Sequence, residues 1–183
     1  GTSVKLPYSK KMFGVPSNVY LIGTMNTADR SIATIDTALR RRFQFKEMQP
    51  DPNVLDGIFV EDISIKDLLT RMNLKISVLY DREHTIGHAY FTKLKDNPTI
   101  EVLASTFQNA IIPLLQEYFY EDYEKIRLVL GDNNKQSEED QFITATATDF
   151  AALFGNTDHG MDDTYRYKVN TAAFDNIEAY RYI

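Results

Sequence analysis

The sequence predicts an α+β chain, mostly helical, in which a strand–helix–strand segment of α/β kind precedes a small helical bundle and a strand-and-helix tail. Three observations carry this. Val19, Tyr20, Leu21 and Ile22 form a short apolar run ending at Gly23, the pattern of an inner strand of a parallel sheet. Ile65, Leu68, Leu69, Met72, Ile76 and Leu79 then recur at helical spacing, as do Leu103, Phe107, Ala110, Ile111, Leu114, Leu115 and Tyr118. Pro50-Asp51-Pro52 separates the two regimes, because each proline removes a backbone donor and pushes its predecessor to extended geometry. The expected divisions are 1–52 for the α/β segment, 53–132 for the helical bundle and 133–183 for the tail.

Residues 4–18 are polar and turn-rich and read as a loop leading into the 19–22 strand. Asn26 and Asp29 follow at that strand's carboxyl end, where open α/β sheets place ligand chemistry. Ser31 can cap the next helix, and Arg40, Arg41 and Arg42 close it, where cations suit the negative end. Phe43 and Phe45 alternate with Gln44 and Lys46 as a second strand. Ser64 with Asp67 resembles a capping box for the first helix of the bundle, with Asp in the Glu position. Residues 84–94 hold a loop and a short helix that Asp96-Asn97-Pro98 ends. Thr99 caps the next helix, which Pro113 should kink or restart. Ile126, Leu128 and Leu130 alternate up to Gly131, which predicts a short strand, with Phe142-Ile143-Thr144 as its pairing partner. Between them, 133–141 reads as an acidic mobile loop. Residues 148–154 give one or two helical turns. Tyr165, Tyr167 and Val169 alternate as a strand, and 171–182 reads as a last helix.

Composition narrows the function classes. Hydrophobic residues make up 43% of the 183 and aromatics 12%, enough for a packed core. The net charge of −6 argues against a free-standing nucleic-acid domain, which carries a basic footprint. The absence of cysteine excludes disulfides and thiolate metal sites. No apolar run approaches the ~20 residues of a membrane helix, so a soluble cytoplasmic protein with no membrane partner is the expectation.

The segment Gly23-Thr24-Met25-Asn26-Thr27-Ala28-Asp29-Arg30-Ser31, followed by Ala38-Leu39-Arg40-Arg41-Arg42-Phe43, resembles the McrB-type GTPases of modified-cytosine-dependent restriction systems. These are ring-forming NTPases of the AAA+ class. Three later stretches share the resemblance: Asp81-Arg82-Glu83-His84-Thr85-Ile86-Gly87-His88, Ile111-Ile112-Pro113-Leu114-Leu115-Gln116-Glu117-Tyr118, and Lys125-Ile126-Arg127-Leu128-Val129-Leu130-Gly131-Asp132. It covers about residues 8–132 well and the remainder weakly.

The resemblance implies that 1–52 is a carboxyl-terminal remnant of an AAA+ α/β core (sensor-1 strand, arginine-finger helix and last strand), that 53–132 is the helical lid and that 133–183 is a small β/α tail. Asn26 matches the sensor-1 asparagine, which hydrogen-bonds the γ-phosphate or the attacking water. Such a residue is needed because phosphoryl transfer is mostly positioning and charge stabilisation. Asp29 and Arg30 complete the signature loop near the phosphates. Arg41 and Arg42 match the arginines that reach a neighbouring subunit's nucleotide, where a planar guanidinium can contact two oxygens. Arg40 is turned away from Arg42 by helical spacing. His88 either lines the lid's nucleotide-facing edge or packs. The implied cofactor is GTP (or ATP) with Mg²⁺ in the intact protein. The implied partners are neighbouring subunits of a homo-oligomeric ring, an endonuclease subunit, and DNA through an upstream domain.

The sequence departs from the pattern in one respect. It contains no G-x-x-x-x-G-K-[ST] phosphate loop and no apolar strand ending in paired Asp-Glu. Gly155 and Gly160 have the spacing, but Met161 and Asp162 stand where Lys and Ser/Thr belong. The chain thus reads as a fragment, expected to bind no nucleotide and to show no turnover alone. Motif chemistry by itself leaves other readings open. Asn26 and Asp29 suit turns and caps, and Asn26-x-x-Asp29 is similar to a guanine-reading motif with Thr27 in place of Lys. His84 and His88, four apart, could share a metal, though no third ligand is apparent. An AAA+ ATPase of the MoxR-like, protein-remodelling kind and a non-enzymatic docking module built on Arg40–Arg42 are the alternatives.

Overall fold

A computed structural model of the chain describes residues 3–25, 41–155 and 165–183. These fall into two compact units, Gly1–Arg42 and Phe43–Ile183.

The first unit contains an antiparallel hairpin, β1 (Ser3–Lys5) and β2 (Met12–Gly14), in register Ser3↔Gly14 to Lys5↔Met12. The loop expected over 4–18 is therefore partly a hairpin. Its turn is closed by the Lys10 amide donating to the Leu6 carbonyl at 3.1 Å, with Lys10 left-handed at φ 59°. The buried strand expected at 19–22 is not formed: the segment has no ladder, and Tyr20 and Ile22 are almost fully exposed. An inner parallel strand is defined by neighbours and by layers on both faces, and among the described residues nothing pairs with this one. Ser31 and most of the expected arginine-finger helix lie outside the described residues; Arg41 and Arg42 stand exposed in a turn.

In the second unit the expected strand at 43–46 is likewise absent, and Phe43 and Phe45 are about half exposed. Alternation supplies a face but not the partner strand that would make a ladder. Asp51 caps a 3-10 turn, Pro52–Leu55, through its Oδ1 on the Asn53 amide at 3.0 Å. A tight hairpin follows, β3 (Phe59–Val60) with β4 (Ile63–Ser64). Ser64 ends β4 and caps α1 (Ile65–Leu79), whose Ile65, Leu68, Leu69, Met72 and Ile76 are buried as the spacing requires. A 3-10 helix, His88–Lys95, leads to Thr99, which caps α2 (Ile100–Thr106). The next turn, Phe107–Ile111, is π-helical and runs into α3 (Ile112–Tyr118). There the Ile112 amide reaches five residues back to the Phe107 carbonyl. The widened turn absorbs the donor that Pro113 lacks, which is the expected restart.

Residues 123–130 are helical rather than a strand: α4 spans Tyr123–Leu130. Asp122 accepts from the Lys125 amide at its start, and Gly131 (φ 72°) closes it in the left-handed conformation. Ile126, Val129 and Leu130 are fully buried, a helical set, whereas Leu128 of the apparent alternation is 41% exposed. Phe142-Ile143 consequently pairs elsewhere: β5 (Ile143–Ala147) joins β6 (Tyr165–Val169) antiparallel, Ile143↔Val169 to Ala147↔Tyr165. Asp149 caps α5 (Phe150–Phe154). The expected mobile loop at 133–141 instead holds 3-10 turns at Asp132–Asn134 and Glu138–Asp140, with Lys135 buried between them. The expected last helix is two 3-10 turns, Thr171–Asp175 and Ile177–Tyr180. Asn176, extended at φ −102° and ψ 112°, breaks it by capping Glu178 and donating to Asp140 at 2.7 Å.

One core runs through this unit. Phe107 lies at its centre, with ring centroids 6.2 Å from Phe91, 5.5 Å from Phe142 and 5.0 Å from Tyr180. Residues of the lid and of the tail after 132 share it: Leu103, Ile111 and Ile126 with Phe142, Ala173, Phe174 and Tyr180. No helix among the described residues is long and apolar enough to cross a membrane.

Candidate functional site

Helix α1 ends at Leu79, and the loop after it, residues 81–88, is tied to the buried core by polar contacts. Two brackets fix it. Asn73, on α1, donates from Nδ2 to the Ile86 carbonyl at 2.9 Å and accepts the Ile86 amide on Oδ1 at 2.7 Å. The side chain thus acts as a one-residue strand, and Ile86 is driven fully into the core. At the other end Asp81 Oδ1 accepts from the Glu83 amide (2.9 Å), the His84 amide (3.0 Å) and His84 Nδ1 (2.7 Å). Burial pushes the Asp81 carboxyl up, but the hydrogen bonds from His84 outweigh it and hold the group below its ordinary range.

His84 is nearly buried, edge-on to Tyr80 at 4.3 Å and to Tyr118 at 5.0 Å between ring centroids. Burial raises the Tyr118 phenol, reinforced by Tyr90 and Glu117. His84 is therefore a packed residue of the α1–α3 junction. His88 is half-buried, and its Nδ1 accepts the Asp51 amide at 3.0 Å. That bond places the proton of the neutral ring on Nε2. Arg82 pairs with Glu47 and lies 3.6 Å from Glu83. The hydrogen bond from Arg82, aided by Gln49, lowers the Glu47 carboxyl, and Glu47 in turn raises the Arg82 guanidinium. Segment 47–51 is thereby lashed to loop 81–88 at two points. Glu47 and Asn73 were not singled out by sequence reasoning, and Asp51 and Asp81 were named only within longer stretches and given no role. Only Asp81-x-x-His84, a local side-chain-to-backbone turn signal, could have been found there.

Of the residues expected to serve a nucleotide, Asn26, Asp29 and Arg30 lie outside the described residues, as does Arg40. Arg41 and Arg42 are exposed in the first unit, and His88 sits in the second. The sequence has no phosphate loop, and among the described residues no three His, Asp or Glu side chains gather as a metal site.

Comparison with known proteins shows what the loop and its helices are similar to. Residues 64–127 match the family described as McrB, alpha-helical lid domain. That span runs from the Ser64 cap of α1 to the middle of α4 and includes the whole 81–88 loop. The chain is also 39% identical to the Type IV methyl-directed restriction enzyme EcoKMcrB subunit of Escherichia coli (strain K12), over 66% of this chain and 30% of that protein. The chain therefore spans about a third of the length of the curated relative it matches.

Proposed function

We propose that this chain, McrB-type in its lid, is part of a GTP-hydrolysing AAA+ ring motor that works with an endonuclease subunit to restrict DNA containing modified cytosine. The observation that carries the reading is the lid match over 64–127, joined by the 39% identity to a restriction-enzyme subunit. In this reading Asn26 positions the γ-phosphate or the attacking water, and Asp29 and Arg30 shape the loop around it. Arg41 or Arg42 enters the neighbouring subunit's site and neutralises charge developing on the transferred phosphoryl group. The exposure of Arg41 and Arg42 in a turn is compatible with a role outside their own fold unit. His88, held through Nδ1 by Asp51, would present Nε2 to the nucleotide edge of the lid. Movement of the lid during turnover would then transmit work around the ring. GTP with Mg²⁺ binds the complete protein, whose phosphate loop is not among these 183 residues.

The test is hydrolysis of GTP and ATP by the full-length protein, with sedimentation in the presence and absence of each nucleotide. The reading expects GTP to be turned over in preference to ATP and to drive assembly. Assembly indifferent to nucleotide would point instead to a docking module, and a preference for ATP to a remodelling ATPase. Robust turnover by the 183-residue chain alone would contradict the assignment of the phosphate cradle to residues outside it.

A further inference from the structure

The two outer edges of the hairpin β5–β6 differ: that of β5 is capped at its base and that of β6 is not, and the difference is set by named side chains. The Asn170 amide donates to the Phe142 carbonyl at 2.8 Å, which sets the phase of the ladder, while the Phe142 amide donates to Asp132 instead. Antiparallel pairs alternate, so Thr144↔Lys168 and Thr146↔Arg166 are hydrogen-bonded pairs. Ile143, Ala145 and Ala147 then point their backbone groups away from β6, and Tyr165, Tyr167 and Val169 point theirs away from β5. At the base of β5 that outer edge is taken: the Ile143 amide donates to Asp132 Oδ2 at 2.8 Å, and Arg127 donates to the Ile143 carbonyl. Nothing among the described residues does the same for Tyr165, Tyr167 or Val169. An edge with free amides and carbonyls is a template for another strand.

The two faces of β6 specify what such a strand would carry. Tyr165, Tyr167 and Val169 share the face toward α4, where Tyr167 stacks on Tyr123 at 5.5 Å and donates to Glu124 at 3.2 Å. Arg166 and Lys168 occupy the opposite face, both exposed, with Thr144 and Thr146 opposite them on β5. Neither cation has an ion-pair partner among the described residues. A strand laid along β6 would set alternate side chains beside these two cations and the others beside the tyrosines and Val169. Carboxylates suit the first set and apolar groups the second. Single-stranded nucleic acid fits poorly, because one face of Tyr167 is already stacked and Glu124 lies against its hydroxyl.

We infer that the outer edge of β6, residues 165–169, is a strand-addition site for an extended acidic–apolar segment of a partner protein. The test is amide exchange of the isotopically labelled chain with and without a blocked seven-residue peptide alternating glutamate and valine. Slowing of about tenfold or more is expected at Tyr165, Tyr167 and Val169, while Arg166 and Lys168, already in the ladder, stay unchanged. The paired substitution Arg166→Glu with Lys168→Glu lies on the exposed face and should leave the rest of the spectrum intact. It should weaken the glutamate peptide about tenfold or more and favour a lysine–valine counterpart. Absence of binding at millimolar peptide would overturn the inference. So would protection along β5, affinity indifferent to charge reversal, or displacement of the peptide by a single-stranded oligonucleotide.

Discussion

Asp132 is a carboxylate with no exposed surface, and it joins the end of α4 to the start of β5. Its oxygens accept from Lys135 Nζ at 2.7 Å and from the Phe142 and Ile143 amides at 3.0 and 2.8 Å. Lys135 also lies over the Phe142 ring, 4.1 Å from its centroid. Burial pushes the Asp132 pKa up and the Lys135 pKa down, so the pair itself adds little stability. Removing one member is another matter: Lys135→Met should cost about 3–5 kcal/mol in urea denaturation, because it strands a buried carboxylate. Beside it, Gly131 is left-handed, and a Cβ there would overlap the Tyr182 carbonyl. Gly131→Ala should cost more than the ~1–2 kcal/mol of a left-handed residue alone. Gly131→Asn, tolerated at most helix ends, should be as damaging, and near-wild-type melting of the Asn variant would deny the close approach. Tyr180 is buried and donates to the Phe174 carbonyl at 2.7 Å. Burial, with Asp175, raises its phenol far above the ordinary value. A raised folded-state pKa means its contribution is complete below about pH 10 and is lost as pH rises toward the folded value. The urea midpoint should therefore fall on the alkaline side of about pH 10. Tyr180→Phe should flatten that fall while costing about 1–3 kcal/mol at neutral pH, because the Phe174 carbonyl loses its donor.

The elements read correctly from the sequence are those decided by contacts three or four residues apart. Ser64 and Thr99 were legible as caps, and the apolar stripe of α1 as its buried face. Pro113 was legible as a disturbance, since the cost of a missing donor is local. Strands at 19–22 and 43–46 were not decided locally, because a strand needs a partner that the pattern does not name. The same ambiguity misread α4, where alternating Ile126, Leu128 and Leu130 also contain a helical triplet with Val129. Mutation separates the two geometries. Ile126→Ala should cost about 2–5 kcal/mol, while Leu128→Ser should stay within about 0.5 kcal/mol. Equal costs at 126, 128 and 130 would mean that these residues face one way, as in a strand. In the 81–88 loop the motif was legible but not its support. Asn73 meets Ile86 thirteen residues away, and Glu47 meets Arg82 across thirty-five. Such pairings are set by the fold, and no local spacing announces them.

At the scale of the whole molecule, the chain joins a packed lid-and-tail unit to a first unit that carries the exposed Arg41–Arg42 turn. The resemblance was legible through the Gly23–Ser31 and Ala38–Phe43 signature, with the 81–88 loop as support, and the match over 64–127 agrees with it. The proposed nucleotide site rests on a sequence signature alone: Asn26, Asp29 and Arg30 lie outside the described residues, and the sequence contains no phosphate loop. The proposal is that one short element serves two nucleotides, Asn26 its own subunit's and Arg41 a neighbour's. GTP turnover by full-length Asn26→Ala, full-length Arg41→Ala and an equimolar mixture of the two tests this most directly. Each variant alone should lose about 10³–10⁵ in rate. The mixture should recover part of it, because a ring then contains sites with an intact asparagine facing an intact arginine. Single variants that turn over GTP normally, or a mixture no more active than its components, would contradict the account.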